Sequence, residues 1–259
     1  MIVDVDRYLE RIGLARPISF DAEGLETLQR AHLSTVPFEN LHVAARLGVR
    51  TDVAWSYRKI VEQRRGGWCF ELNGCFGSLL RALGFEVDYI SCQVWDEPSG
   101  WGPALDHLGL LVHLGGQRWF VDVGFGDNCL VPLPVIDGEY EANPRRGRIE
   151  FDADADAFVL SELTPDDGWV PQLCGGLRPM VLADFTPRSE YLKTAPDLSW
   201  AHKPFASRAL DGTGSRVTLR RDVLRVRTGH GPFIETPVAE HEWSDLLAAH
   251  FGLTDSRAR

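Results

Sequence analysis

Apolar residues change their spacing once along this chain. Up to about residue 85 they recur every three or four positions, as on helices; beyond it they alternate with polar residues, as in strands. Val5, Tyr8, Leu9 and Ile12 mark a first helix that ends at Gly13. Asp21 is placed to cap a second helix carrying Leu25, Leu28 and His32. Trp55, Ile60 and Val61 form a third apolar cluster. The stretch 68–83 carries Cys69, Phe76, Leu79, Leu80 and Leu83, and Gly84 suits the position after a helix end. Phe85, Val87 and Tyr89 then alternate with polar residues. The runs 107–113 and 118–124 predict two strands around Gly115-Gly116, and 148–162 predicts strand broken by an acidic turn. Prolines 165, 171, 179, 187 and 196 predict a loop-rich middle, and 215–228 a hairpin around Arg221-Asp222. A last helix is expected with Thr236 as N-cap, Pro237 at its first position and Trp243, Leu246, Leu247, His250 and Phe251 on its buried face. Helices, then strands, then a mixed tail predict an α+β fold.

Composition narrows the class. At 259 residues the chain suits one large domain or two to three small ones, with a core that needs no disulfide staples. Its hydrophobic share of 44% excludes a disordered chain. A net charge of −10 without a dense Lys/Arg block argues against nucleic-acid and anionic-membrane partners. No apolar run approaches the ~20 residues of a membrane span. The acidic, amphipathic start lacks the basic region of a signal peptide, which predicts a cytoplasmic setting. Five cysteines without paired CxxC motifs predict free thiols and no structural metal.

The sharpest segment runs from Arg65 to Gly74: Gly66-Gly67-Trp68-Cys69-Phe70-Glu71-Leu72-Asn73. Two glycines permit a tight approach, and a helix begins at or near Cys69. A cysteine there meets the positive end of the helix dipole and free backbone N–H groups. Both favour the thiolate, and the same N–H groups suit an oxyanion. Glu71 and Asn73 are polar positions in an otherwise apolar helix, which marks them as used. A buried packing cysteine fits the segment equally well. Cys75, Cys92 and Cys174 read as packing residues, and Cys129 has no chemistry assigned.

A second signal spans Asp106-His107 and Val121-Asp122-Val123-Gly124-Phe125-Gly126. With Gly115-Gly116 as a two-residue turn, 109 faces 122 and 107 faces 124. His107 and Asp122 are then diagonal neighbours about 7–8 Å apart at the backbone, with only Gly109 between them. A carboxylate on imidazole sets its tautomer and frees the other nitrogen for a nucleophile. A structural His–Asp pair is the alternative, as structural roles are for His32, His42, His202, His230, His241 and His250; His113 shares the face of His107 but lies near the turn. Cys69, His107 and Asp122 together make a nucleophile, a base and an orienting carboxylate for acyl transfer through a thioester. A papain-like protease would place its histidine about 130–150 residues after the cysteine; here the interval is 38.

These pieces resemble the arylamine N-acetyltransferase family. The matching motifs occur in family order: Val36-Pro37-Phe38-Glu39-Asn40-Leu41, Arg65 to Asn73, His107, and Val121 to Gly126; Trp68 stands where the family often has tyrosine. The resemblance implies a papain-like Cys-His-Asp core of Cys69, His107 and Asp122. It implies a helical first domain (1–85), a β-barrel domain (86–190) and an α/β lid (191–259). It implies ping-pong transfer of acetyl from acetyl-CoA to an aromatic amine or hydrazine, with no permanently bound cofactor. Phe38, Trp68 and Phe125 would contact the acceptor, and Gly126 and Asp127 the donor.

One departure follows the last motif. The family usually continues with another glycine and a Thr/Pro-containing stretch, whereas this chain has Asp127 and then Cys129 to Pro132. A negative charge there is expected to weaken coenzyme A binding. It is similar to the family's branch of ansamycin amide synthases, which take a polyketide from the phosphopantetheine of an acyl carrier protein and close it to a macrolactam. Acetyltransferase, amide synthase and a silent homologue binding an aromatic ligand or partner are therefore the readings to separate.

Overall fold

The computed structural model describes residues 3–127, 129–141, 146–164, 167–195 and 198–255. Helix α1 (Val5–Arg11) starts where Asp4 accepts from the Arg7 N–H, and it gives way to a left-handed Gly13. Helix α2 (Ala22–Thr35) is capped by Asp21, which accepts from the Gly24 N–H at 2.8 Å. Strand β1 (Phe38–Glu39), α3 (Leu41–Ala44) and α4 (Val53–Tyr57) lead through a π-turn at Arg58–Glu62 to α5 (Cys69–Ala82). Helix α5 is buried continuously from Cys69 to Gly77, so it is the central helix rather than an amphipathic surface one. Gly84, with φ +103°, ends it as expected.

Nine antiparallel strands follow: β2 (Glu86–Asp96), β3 (Gly100–Trp101), β4 (His107–Leu114), β5 (Gln117–Val121), β6 (Leu133–Pro134), β7 (Gly138–Glu141), β8 (Arg146–Asp152), β9 (Ala157–Thr164) and β10 (Gly168–Gly176). Their order is β6-β5-β4-β2-β10-β9-β8-β7 with β3 on β2, a nearly closed barrel-like sheet around Ile90, Phe120, Phe158 and Leu173. Helix α6 (Thr186–Thr194) leads to β11 (Phe205–Ala209), β12 (Arg216–Arg220), β13 (Val223–Arg227), β14 (Ile234–Pro237) and α7 (Trp243–Phe251). Trp243, Leu247 and Phe251 of α7 pack on Val217 and Leu219. The α+β class, with a papain-like core, a helical beginning, a barrel and an α/β lid, is the one the sequence predicted.

Two local expectations are corrected. The proline-punctuated middle contains a full strand, β10; its register shifts between Pro171 and Leu173, a bulge that accommodates the missing N–H. Pro165 and Pro196 lie outside the described residues. Thr236 and Pro237 do not start the last helix: they pair with Leu224 and Val223 in edge strand β14, where proline is tolerated, and α7 begins only at Trp243. Of its expected buried face, Leu246 and His250 are only half-buried. Phe38–Glu39 forms a short strand within the mainly helical first part of the chain. It pairs with Ser207 and Ala206 and puts β1 on the edge of the C-terminal sheet.

Candidate active site

Close backbone approach sets the start of α5. Gly67 N–H donates to Pro37 O at 3.3 Å, and Glu39 N–H donates to Gly67 O at 2.8 Å. A Cβ on Gly66 would stand 2.1 Å from Pro37 O, so no other residue fits there. Buried Arg11 donates to the carbonyls of Ile60, Thr35, Arg64 and Arg65, tying the segment before the glycines to α1. Burial lowers that guanidinium to a pKa of about 10, which leaves it charged. Glu71 is wholly buried. Its carboxylate takes Lys59 Nζ at 2.6 Å and Trp55 Nε1 at 3.0 Å, and it also accepts from the Trp68 N–H. Lys59 reaches Glu39 as well, at 3.7 Å. Thus Glu71 anchors the helix start, a supporting role.

Asn73 points the other way. Its Nδ2 donates to Asp122 Oδ1 at 2.8 Å and to Leu108 O at 2.6 Å, while its Oδ1 accepts from the Val123 N–H at 2.9 Å. Asp122 Oδ1 also accepts from the Gly124 N–H at 2.7 Å. The other oxygen, Oδ2, lies 2.7 Å from His107 Nε2. The predicted two-residue turn is present: Leu114 faces Gln117, Leu110 faces Val121, and Gly115 and Gly116 have φ of +62° and +76°. Cys69 lies beside the His107 ring and contributes to holding it charged. Since Nε2 is taken by Asp122, Nδ1 is the nitrogen left for the sulfur. Gly124 makes this contact possible, because a Cβ there would come within 2.8 Å of both Cys69 Cα and Asn73 Nδ2. Burial disfavours a charged His107, but the charge and hydrogen bond of Asp122, together with Cys69, outweigh it and raise the imidazole to about 10. An imidazole beside a cysteine at a helix N-terminus is the arrangement of a base and a nucleophile.

The same chain order and fold occur in characterised proteins. A family model described as N-acetyltransferase matches residues 21–258. The chain belongs to the arylamine N-acetyltransferase family. It is 26% identical to arylamine N-acetyltransferase 2 of Rattus norvegicus, over 98% of this chain and 96% of that one. A shorter match to the arylamine N-acetyltransferase of Escherichia coli is 34% identical over 60% of this chain and 56% of that one. Among solved structures, the Salmonella typhimurium arylamine N-acetyltransferase superposes with a TM-score of 0.89 at 26% identity, covering 96% of this chain and 90% of that one. As a member of this acyltransferase family, the protein is an enzyme.

A cavity of about 900 Å³ lies between the barrel and the C-terminal sheet, lined by Phe38, Phe125, Gly126, Asp127, Trp200 and Phe205 among others. Phe125 links it to the site, with its ring edge-on to His107 at 5.4 Å. Trp68 is 1% exposed and does not line the cavity; it stacks at 6.0 Å on Trp200, which does. Asn40, quoted above only as part of a motif, clamps this wall: it donates to Trp200 O and Lys203 O and accepts from the Phe205 N–H. Asp127 is not the uncompensated negative charge expected from the sequence. It pairs with Arg216 Nε at 3.0 Å and with Arg227 Nη2 at 2.9 Å. Sequence reasoning missed Trp200 and both arginines. A signal was available for the latter: centring a hairpin on Arg221-Asp222 puts Arg216 opposite Arg227, like charges in register that need an anion.

Proposed function

We propose that this family member transfers an acetyl group from acetyl-CoA to an arylamine or hydrazine through an acyl-thioester on Cys69, with His107 as base and acid and Asp122 as the group that orients and charges His107. The observation that carries this reading is the Asn73-held Asp122 bonded to His107, with Cys69 at the head of α5. Cys69 Sγ bonds to the donor's carbonyl carbon. The tetrahedral oxyanion faces the free N–H groups of the first turn, and the donor thiol leaves with a proton from His107. The amine then attacks the acyl carbon, His107 takes its proton, and the amide departs as Cys69 is released. Phe38, Phe125 and Trp200 offer flat apolar faces to an aromatic acceptor. Trp68 supports that wall from behind.

Intact-mass spectrometry after mixing with acetyl-CoA tests the reading. An acetyl adduct that is absent in Cys69→Ala and discharged by an arylamine is the expected result. An adduct formed only from a nucleotide-free thioester would transfer the assignment to a carrier-tethered donor, as in the amide synthases. Silence with both thioesters would leave a ligand-binding homologue. The pairing of Asp127 removes the electrostatic argument that had favoured the carrier-tethered donor.

A further inference from the structure

Arg216 and Arg227 are 2% and 4% exposed and stand directly opposite each other on β12 and β13. Two guanidiniums so placed repel each other, and neither can be buried without a counter-charge. Their forks are held from behind: Arg216 Nη1 donates to Ser207 Oγ and Arg227 Nε to Gly214 O, both at 3.0 Å. Arg216 Nε and both Nη of Arg227 converge on one carboxylate, with Arg227 Nη1 3.1 Å from Asp127 Oδ2 and both arginines on Oδ1. This is the geometry of an oxyanion site. Asp127, its occupant, is itself 30% exposed and forms part of the cavity wall beside Phe125 and Gly126.

We propose that Asp127 is a built-in anion that fills an arginine-pair anion site and so reserves the cavity next to Phe38 and Phe125 for the uncharged part of the acyl donor. Without it, a phosphate or carboxylate would be trapped two residues from Phe125, the part of the pocket wall that faces His107. A phosphate on the donor is met farther out, by exposed Lys203 and Arg220, which have no ion pair among the described residues. Arg221 and Arg225 on the same wall are already paired with Glu240 and Glu235. The inference rests on the acyl-transfer reading above, but part of its test does not.

The probe is inorganic phosphate, compared with chloride at matched ionic strength. Phosphate is expected to raise the thermal midpoint of Asp127→Asn and leave the wild-type midpoint in place. With a nucleotide-free acetyl thioester as donor, phosphate should raise KM about tenfold in Asp127→Asn and not in the wild type. Asp127→Glu should behave as wild type. The double variant Asp127→Asn, Arg227→Gln, which restores the charge balance, should lose the phosphate effect. If Asp127→Asn does not fold in chloride, phosphate should restore it. Absence of any phosphate effect on Asp127→Asn, or an equal effect on the wild type, would overturn the proposal. A wild type that accepts no thioester would count against the acyl-transfer reading instead, and the thermal measurement would still decide on the anion site.

Discussion

Glu71 and Asn73 sit two residues apart on one helix and build two buried charge clusters of opposite character. Behind the helix, Lys59 lies between Glu71 and Glu39, all at most 3% exposed. In front of it, Asn73 and the Gly124 N–H hold Asp122 against His107. Burial dominates at Glu71 and raises its carboxyl despite Lys59, so keeping it charged works against its surroundings. At His107 the partner outweighs burial, so the charged form is the favoured one. The rear cluster holds the helix start in place, whereas the front cluster stores a proton beside a sulfur. Equal burial therefore does not imply equal use; the difference is whether a titrating group meets a nucleophile and a cavity.

Three changes break or sharpen this contrast. Asp122→Asn keeps the shape but presents the wrong hydrogen-bonding partner to His107, and kcat should fall on the order of 10⁴-fold, as in other triads; a rate near wild type would remove Asp122 from the mechanism. Lys59→Met leaves two buried carboxylates without their cation and should lower unfolding free energy by about 3–5 kcal/mol in urea titration. Its kcat per folded molecule should be largely retained, and a loss of the Asp122→Asn kind would mean that the rear cluster also serves the chemistry. The smallest effect is on stability against pH. The folded His107 has its pKa raised to about 10, from an ordinary value of about 6.5. Its contribution is thus fully present below the ordinary value and is lost as pH rises through about 10. The wild-type urea midpoint should fall over that window relative to His107→Gln, and parallel curves would contradict the raised value.

Much of the site was legible because it depends on local rules. Gly-Gly before a helix, a cysteine at its first position and a two-glycine hairpin each determine geometry within a few residues. That register brought His107 near Asp122 on paper, and the structure closes the distance to 2.7 Å. The polar positions Glu71 and Asn73 stood out as used, but not for what, since their partners lie 12 and 49 residues away along the chain. The last helix was misplaced because Thr-Pro serves an edge strand as well as a helix start.

The sequence by itself determined the class of fold, the position of Cys69 at a helix head and the His–Asp register, all consequences of side-chain periodicity and turn stereochemistry. Only the tertiary structure decided what faces the cavity. Phe38 and Asn40 meet Trp200, Lys203 and Phe205 because β1 pairs with β11 across more than 160 residues of chain. The charge of Asp127 is compensated because β12 and β13 bring two buried arginines to it from about 100 residues away. A charge's influence depends on the charges within a few ångströms of it, and no local pattern along the chain specifies which ones those will be.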